Sequence, residues 1–399
     1  MNRARAACAL ALSTFILLTI VVQPVAANTR LDTLYAYLAE RYNPDDEGGY
    51  SYPGTVYSST EPTYSAAYAL DEMGYLDSRP PFIDLVSMKN FTQKMQWEGG
   101  GVEKYGGFSD HLAGPVTMAS SFAAIRLWEV LSQHNDILKM DQVKINETAL
   151  LVYVNETHSS SGGFGSKVGD PPDVLSTFRA LFLLYFASDA LAGSQPEENI
   201  SKWLPDPENT TAWILSCQEG NAFKLSPDSL VPGITATAAA IMALDLLDQL
   251  SSRPDLQGMK DWILARQLEV PLSGQFVGGF AEGINTNDTN LASTYYAVRA
   301  LDSLVAVDEL NTTAAVGFIL SCQANDGSWG FTPGLPAGAI ASIQYAIESL
   351  RLLGQDPKTA LLTEDPNNPT PILLDWRLVF VVGFIAIALV LAVVSVRRS

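Results

Sequence analysis

The sequence predicts an all-α chain built from six tandem helical hairpins, and three observations lead there. An alanine inside an apolar helical stretch recurs at Ala69, Ala124, Ala180, Ala240, Ala297 and Ala346, at intervals of 55, 56, 60, 57 and 49 residues. Self-similarity at such a period marks a repeat architecture. A glycine-aromatic pair precedes each of those helices at Gly49-Tyr50, Gly107-Phe108, Gly163-Phe164, Gly279-Phe280 and Gly330-Phe331, with Ala222-Phe223 in the fourth repeat. Each interval has room for two helices and two connections, and a single unit could not bury its apolar faces without a stacked neighbour.

The elements follow in order. Residues 1–27 carry Arg3 and Arg5, an apolar run from Ala6 to Val22 and a small-residue end at Val25-Ala26-Ala27, the layout of a secretory signal. The repeats occupy residues 30–355. One helix of each hairpin reads Leu34 to Leu38, Phe91 to Met95, Leu150 to Val154, Trp213 to Gln218, Trp262 to Gln267 and Phe318 to Gln323. The other carries the alanine four residues after Ser65, Ser120, Ser176, Ala236, Ser293 or Ser342. Pro62, Pro115, Pro172, Pro232 and Pro336 stand just before it, as suits a first helical turn; the fifth repeat lacks one. A proline-rich linker is expected over 356–376. A transmembrane helix is expected over 377–396, because Leu378 to Val396 is an uncharged run of nineteen residues, about enough for a roughly 30 Å hydrocarbon core. Residues 397–399, with Arg397-Arg398, make a cytoplasmic tail and so a single-pass type I orientation in the cell membrane.

A helix ending in Ile319-Leu320-Ser321-Cys322-Gln323, a Gly-Phe loop, and a helix reading Ser293-Thr294-Tyr295-Tyr296-Ala297-Val298-Arg299-Ala300-Leu301 together resemble the repeat of the protein prenyltransferase β-subunit and squalene cyclase superfamily. The resemblance covers residues 32 to 354. It implies an α/α toroid, an α6/α6 barrel with six inner helices around a central cavity and six outer helices around them. A fold of this kind does not fix function.

The resemblance also says which residues chemistry would require. In the zinc-dependent members an aspartate and a cysteine two residues apart on one inner helix join a histidine from another. Carried onto this chain, the Asp and His positions fall on the six residues from Ser65 to Ser342 named above. The Cys position falls on Ala67, Phe122, Phe178, Ala238, Tyr295 and Gln344. None is a zinc ligand type, and His111, His134 and His158, the chain's three histidines, lie elsewhere; no metal and no cofactor are expected. The cyclases use an Asp-X-Asp-Asp acid, and the nearest runs here, Asp45-Asp46-Glu47 and Asp170-Pro171-Pro172-Asp173, read as solvated turns. The Gly-Cys-Gly-Glu-Gln run of the thioester toroids is absent.

Composition narrows the partners. A net charge of -19 with 17% charged residues and no Lys/Arg cluster argues against nucleic acid. Seven Asn-X-Ser/Thr sequons, at Asn90, Asn146, Asn155, Asn199, Asn209, Asn287 and Asn311, suit a glycoprotein outside the cytoplasm. Once Cys8 leaves with the signal, Cys217 and Cys322 remain. They occupy equivalent positions in the fourth and sixth repeats, too far apart in a ring for a bridge that needs Cα atoms within about 7 Å, and are expected as buried thiols.

Positions four residues apart on each inner helix share a face and should wall the cavity: Ala67 and Asp71, Phe122 and Arg126, Phe178 and Phe182, Ala238 and Met242, Tyr295 and Arg299, Gln344 and Glu348. Asp71, Phe122, Arg126, Phe178, Tyr295, Arg299, Gln344 and Glu348 are therefore the candidate ligand-binding residues, with no catalytic residue assigned. Arg299, Glu348 and Asp71 could equally be an ion cluster closing the barrel. The recurrent serine reads as a small helix-start residue, because no base recurs beside it to activate a hydroxyl. These readings favour an extracytoplasmic, membrane-anchored toroid that binds a protein, glycan or lipid. The alternative is a prenyltransferase or terpene cyclase-type enzyme acting on an isoprenoid. A third is a carbohydrate-active enzyme with Glu348 and Asp71 as its carboxylates.

Overall fold

The computed structural model describes residues 28–44, 48–78, 80–99, 101, 103–134, 144–192, 203–269, 276–284, 286 and 288–366. The expected signal segment, the transmembrane run, the tail, Asp45-Asp46-Glu47, Asn199 and Asn287 lie outside the described residues. No helix among the described residues is long and apolar enough to cross a membrane.

Thr29–Thr363 is one compact unit with twelve main helices among its described residues, numbered in chain order so that odd helices are outer and even ones inner. The outer helices are α1 (Arg30–Arg41), α3 (Leu85–Lys94), α5 (Glu147–Glu156), α7 (Pro207–Ser216), α9 (Leu256–Leu264) and α11 (Thr312–Ser321). The inner helices are α2 (Thr60–Glu72), α4 (Met118–Ser132), α6 (Val174–Ala192), α8 (Ile234–Leu246), α10 (Leu291–Ser303) and α12 (Ala341–Leu352). Each inner helix packs on the next, and α12 packs on α2, so the inner ring closes. The unit runs past residue 355, because the turn Pro357–Ala360 packs on α12. Outside this unit, the Asp365 amide donates to the Asn28 carbonyl at 3.1 Å.

Local chemistry explains the two helix types. The inner helix α8, Ile234-Thr-Ala-Thr-Ala-Ala-Ala-Ile-Met-Ala-Leu-Asp-Leu246, is buried on nearly all sides, and an all-round apolar helix is stable only inside a layer of others. Outer helices start on side-chain caps: Asp84, Asn146, Asp206 and Asn311 each accept from backbone amides two or three residues on, a cap whose loss to alanine costs about 1 kcal/mol.

Two circumferential networks hold the repeats in register. In five of the six repeats a residue one to three positions past the outer helix staples that helix to the start of the next. Gln96 exchanges amide bonds with Asn146 (2.7 and 2.9 Å), Gln267 does the same with Asn311 (2.8 and 3.1 Å), and Gln218 donates to Asp255 at 2.5 Å. Tyr42 substitutes a hydroxyl, accepting from the Asp84 amide at 3.0 Å. Gln323 closes the circle by donating to the Arg30 carbonyl at 2.9 Å. Only His158 of the third repeat breaks the series; its Nε2 is buried without a partner. The second network lies at the inner helix starts, where five amides donate to the loop of the following repeat: Thr60 to Asp110, Met118 to Ser166, Val174 to Leu225, Ile234 to Glu282 and Leu291 to Phe331, at 2.7–2.9 Å. The Ser65 hydroxyl closes this belt by donating to the Ile340 carbonyl at 2.7 Å.

The accepting residue is always two beyond a fully buried aromatic, namely Phe108, Phe164, Phe223, Phe280 or Trp329. The glycine-aromatic register therefore needs correcting in the sixth repeat. Its buried ring is Trp329, and Phe331 is about half exposed. In five repeats the structural mark is a left-handed glycine two residues earlier, at Gly48, Gly106, Gly162, Gly278 and Gly327; the fourth has Asn221 there. A Cβ on Gly278 (φ +97) would sit 2.0 Å from the Ala314 carbonyl oxygen, and one on Gly327 (φ +88) 2.2 Å from that of Thr33. No side chain fits there, and glycine also adopts positive φ without steric cost.

Candidate functional site: the central cavity

Each inner helix is positioned by a hydroxyl 13 or 14 residues after its buried aromatic. Thr63, Ser121, Thr177, Thr237 and Thr294 accept the amide hydrogens of Tyr50, Phe108, Phe164, Phe223 and Phe280 at 2.9–3.0 Å. The residues one and five beyond that hydroxyl face inward. The sixth repeat keeps the frame without it, since the Ser342 hydroxyl donates to the Trp329 carbonyl as Ser120 does to Phe108.

The result is a cavity of about 210 Å³, smaller than the roughly 300–1,000 Å³ of drug-sized ligand sites. It brings together Phe122, Arg126, Phe178, Phe182, Met242, Tyr295, Arg299, Gln344 and Glu348, as expected from the shared helix face. Asp71 is the exception and does not line it. In the first repeat the hydroxyl is Thr63, so the inward residues are Tyr64 and Tyr68, three positions before Ala67 and Asp71. A slip of three residues on a 3.6-residue helix turns a side chain by about 60°. Asp71 instead meets His134 Nε2 at 2.8 Å, with Asp77 on the other ring nitrogen at 3.2 Å. Tyr64 lines the cavity in its place, together with Tyr52, Glu61 and Asp110, and with Arg179, Tyr296 and Tyr345, which directly precede a repeating alanine but stand off the face counted from it. Counting 13 residues from Tyr50 to Thr63 was the available signal for Tyr64.

Glu348 is the polar centre. It is 2% exposed, and its carboxylate accepts from Arg299 Nη1 (2.9 Å), from the Tyr295 hydroxyl (3.3 Å) and from the Gln344 amide. Arg126 makes a parallel arrangement, with Glu129 at 3.0 Å and Nε donating to the Tyr64 hydroxyl at 3.4 Å. Its guanidinium lies 5.3 Å from the Phe182 ring centre, within cation–π range. Phe122 packs on Phe182 and Phe178 with centroids 5.0 and 5.9 Å apart, and Tyr295 stacks on Tyr345 at 4.7 Å.

Burial dominates the electrostatics. It pushes the Tyr64 phenol up to about 12 and Tyr295 well above its ordinary value, the latter reinforced by Glu348; both stay protonated donors or acceptors. Burial also raises the Glu129 carboxyl, against the pull of Arg126. For Arg126 and Arg299 burial acts against the charge, but the neighbouring tyrosines and glutamates outweigh it and hold both pKa values raised. The two arginines are thus balanced by Glu129 and Glu348. A buried ion pair adds little over an apolar contact, yet losing one partner costs about 3–5 kcal/mol, so this cluster fixes the wall's geometry whatever it binds.

Zinc of the kind held by the zinc-dependent members does not fit these positions. The hydroxyls there are committed: Ser176 donates to Asp173 at 2.6 Å and Ser293 to Glu282 at 2.7 Å. Among the described residues no group of three or more His, Cys, Asp or Glu is arranged to hold a metal. The histidines lie outside the cavity, with His111 stacked on Tyr57 at 4.4 Å. Cys217 and Cys322 are buried free thiols, and burial raises both pKa values. Asn146 and Asn311 spend Oδ1 on their caps, at 3.0 and 3.1 Å.

Among solved structures, the chain is similar to protein geranylgeranyltransferase-I of Candida albicans complexed with GGPP, at 15% identity and a TM-score of 0.58, covering 78% of this chain and 88% of that one. It is also similar to a protein from Actinoplanes, at 13% identity and a TM-score of 0.50, covering 82% and 99%. At these identities the likeness speaks for the fold. The comparison with curated proteins finds no match. The sequence pattern of one family, described as the prenyltransferase alpha-alpha toroid domain, matches residues 6–204 and 183–377. With most of its length so matched, and with six hairpins closed around a cavity, the chain belongs to the prenyltransferase alpha-alpha toroid domain family.

Proposed function

We propose that the protein takes an apolar chain of isoprenoid type into its central cavity and acts on it as a zinc-independent prenyltransferase or terpene cyclase-type enzyme. The observation that carries this reading is the cavity wall: Phe122, Phe178, Phe182 and Tyr295 form ring faces around a charge-balanced pair of ion clusters. With Arg126 and Arg299 each paired to a glutamate, the rings beside them are left to meet hydrocarbon, and ring faces stabilise positive charge developing on a bound alkene. Glu348, whose carboxylate is already oriented by three donors, is the group placed to accept a proton. The small volume limits the buried part to a short chain or one end of a longer one. The protein geranylgeranyltransferase-I with its bound GGPP supports the substrate class.

Lipid extraction and mass spectrometry of the purified full-length chain test this. A copurifying isoprenoid, lost in Phe122→Trp because the added ring fills the cavity, is the expected result; an apolar extract free of isoprenoid from correctly folded protein would refute it. A second reading, binding without turnover, is favoured by the commitment of the acids that line the cavity, Glu348 to Arg299, Glu61 to the Tyr52 hydroxyl and Asp110 to the Thr60 hydroxyl. Product formation from a short isoprenoid separates the two.

We further propose that the toroid stands on the extracytoplasmic side as a glycosylated, single-pass type I membrane protein. The charged and apolar runs at both ends and the sequons support this. The capping bonds of Asn146 and Asn311 use Oδ1 and leave out the amide nitrogen to which a glycan attaches. Protease added to intact cells should remove the toroid and spare a C-terminal tag; digestion of the tag would reverse the orientation.

A further inference from the structure

We infer that the mouth of the central cavity holds an organic ammonium group, so that the ligand is a cationic amphiphile whose apolar chain enters the cavity while its head stays among tyrosines. The loops that precede the inner helices form a rim, because the backbone belt from Thr60–Asp110 round to Leu291–Phe331 joins each loop to the next helix start. At this end the cavity wall is made by Tyr52 and Asp110 of the rim loops and by Glu61, Arg179, Tyr296 and Tyr345 in the first two turns of α2, α6, α10 and α12. These side chains belong to one site. The Tyr345 and Tyr296 ring centres are 6.2 Å apart. Burial, Glu61, Asp110 and Tyr345 push the Tyr52 phenol up, and burial, Tyr296 and Glu61 do the same to Tyr345, as only close neighbours do.

Charge selects the head. The other two arginines that line the cavity are paired, Arg126 with Glu129 and Arg299 with Glu348. Arg179 then stands alone against Glu61 and Asp110, and it forms no ion pair among the described residues. One carboxylate is in excess. Each acid also keeps an oxygen free: Glu61 Oε2 accepts from the Tyr52 hydroxyl at 2.5 Å and Asp110 Oδ1 from the Thr60 hydroxyl at 3.2 Å, whereas Glu61 Oε1 and Asp110 Oδ2 accept no hydrogen bond among the described residues. His111 Nδ1 stands 3.6 Å from Asp110 Oδ2, beyond bonding range. A diphosphate would meet an excess of its own sign and a single arginine. A metal ion is not served either, since among the described residues no three acidic, histidine or cysteine side chains are arranged to hold one. A neutral alcohol would leave the extra carboxylate uncompensated. An ammonium group meets that carboxylate together with aromatic rings, the combination that recognises quaternary ammonium and methylated amines.

The inference rests on the reading of the cavity as the site of an apolar chain, and the test separates the two. Three probes share one short isoprenoid chain, namely geranyltrimethylammonium, geraniol and geranyl diphosphate, and their binding to the purified full-length chain is measured by calorimetry. The exposed Asp308, changed by Asp308→Asn, controls for the general pull of a chain of net charge -19 on any cation. Expected is an ammonium affinity about tenfold above that of geraniol. Glu61→Gln should remove most of that preference and leave geraniol binding unchanged, and Asp308→Asn should change neither. Tyr345→Leu, which removes a ring and no charge, should narrow the preference as well. Equal affinity for the ammonium and the alcohol, a preference that survives both Glu61→Gln and Tyr345→Leu, or one lost equally in Asp308→Asn overturns the ammonium head and spares the apolar-chain reading. Tightest binding by the diphosphate does the same. Folded protein that binds none of the three overturns both.

Discussion

Repeats five and six set a buried ring at the same distance from a left-handed glycine, yet their glycine-aromatic pairs do different things. In repeat five, Gly278 turns left-handed and Phe280 two residues later is the buried ring; in repeat six Gly327 turns left-handed and Trp329 is the ring. Trp329 pairs with Gln323 as Phe280 does with Gln267, and adds a bond from its indole Nε1 to the Ile319 carbonyl at 3.0 Å. The Gly330-Phe331 pair that follows lies on the rim. The turn is therefore defined by the glycine pressed against the next outer helix and not by whichever aromatic happens to follow a glycine.

Replacing that glycine should have the largest effect. Gly278→Ala adds about 1–2 kcal/mol of left-handed backbone strain and drives a Cβ to 2.0 Å from a helix carbonyl, an overlap that adds a further 1–3 kcal/mol or more. A loss of about 3–5 kcal/mol in denaturant unfolding, or failure to fold, is expected. Gly334→Ala is the contrast: φ is +80 but no atom lies within 4 Å, so strain of about 1–2 kcal/mol is all it should cost. Equal losses would mean that strain alone, and not the contact between repeats, defines the turn.

The two aromatics of repeat six give the next test. Trp329→Ala empties a fully buried site and should cost about 3–5 kcal/mol. Phe331→Ala, on the surface, should stay within about 0.5 kcal/mol. The reverse order would restore Gly330-Phe331 as the plug and undo the rim assignment of Phe331.

How much of this the sequence could reveal depends on what each residue type reports. Period, helix pairing and most of the cavity wall were readable because Phe122, Arg126, Phe178, Tyr295, Arg299, Gln344 and Glu348 hold a fixed helical spacing from a repeating alanine. Asp71 was misplaced because alanine is common in inner helices. Ala66, Ala67 and Ala69 are all fully buried, and only the long-range bond from Tyr50 to Thr63 decides between their registers. The staples were visible as glutamines without a stated role, since their partners start the next outer helix some fifty residues away. Where the register was right, the repeating alanine should be a close-packing position. Ala297 and Ala240 are fully buried, so Ala297→Leu and Ala240→Leu should each lose about 1–3 kcal/mol by overpacking and melt lower than the parent.

The smallest effect sharpens the comparison where repeat three departs from repeat five. His158 occupies the place of Gln267, packs edge-on against Phe164 at 4.8 Å, and leaves Nε2 buried and unpartnered. His158→Gln would supply the amide that in repeat five bridges the Gly278 and Asn311 carbonyls, each bond adding about 0.5–1.5 kcal/mol. It would lose a ring contact of about 0.5–1.5 kcal/mol, leaving a net gain centred on about 1 kcal/mol at neutral pH. Acid separates the two side chains further. Burial lowers the His158 pKa below 6.5, so the unfolded chain takes up a proton that the folded one resists. The stability His158 contributes is present above pH 6.5 and is lost as pH falls through the lower folded value. Thermal melts from pH 8 down to pH 5 should show the parent losing stability faster than His158→Gln, with the gap widening below 6.5. Parallel curves would mean that the ring nitrogen finds water in the folded state, and that repeat three is stapled after all.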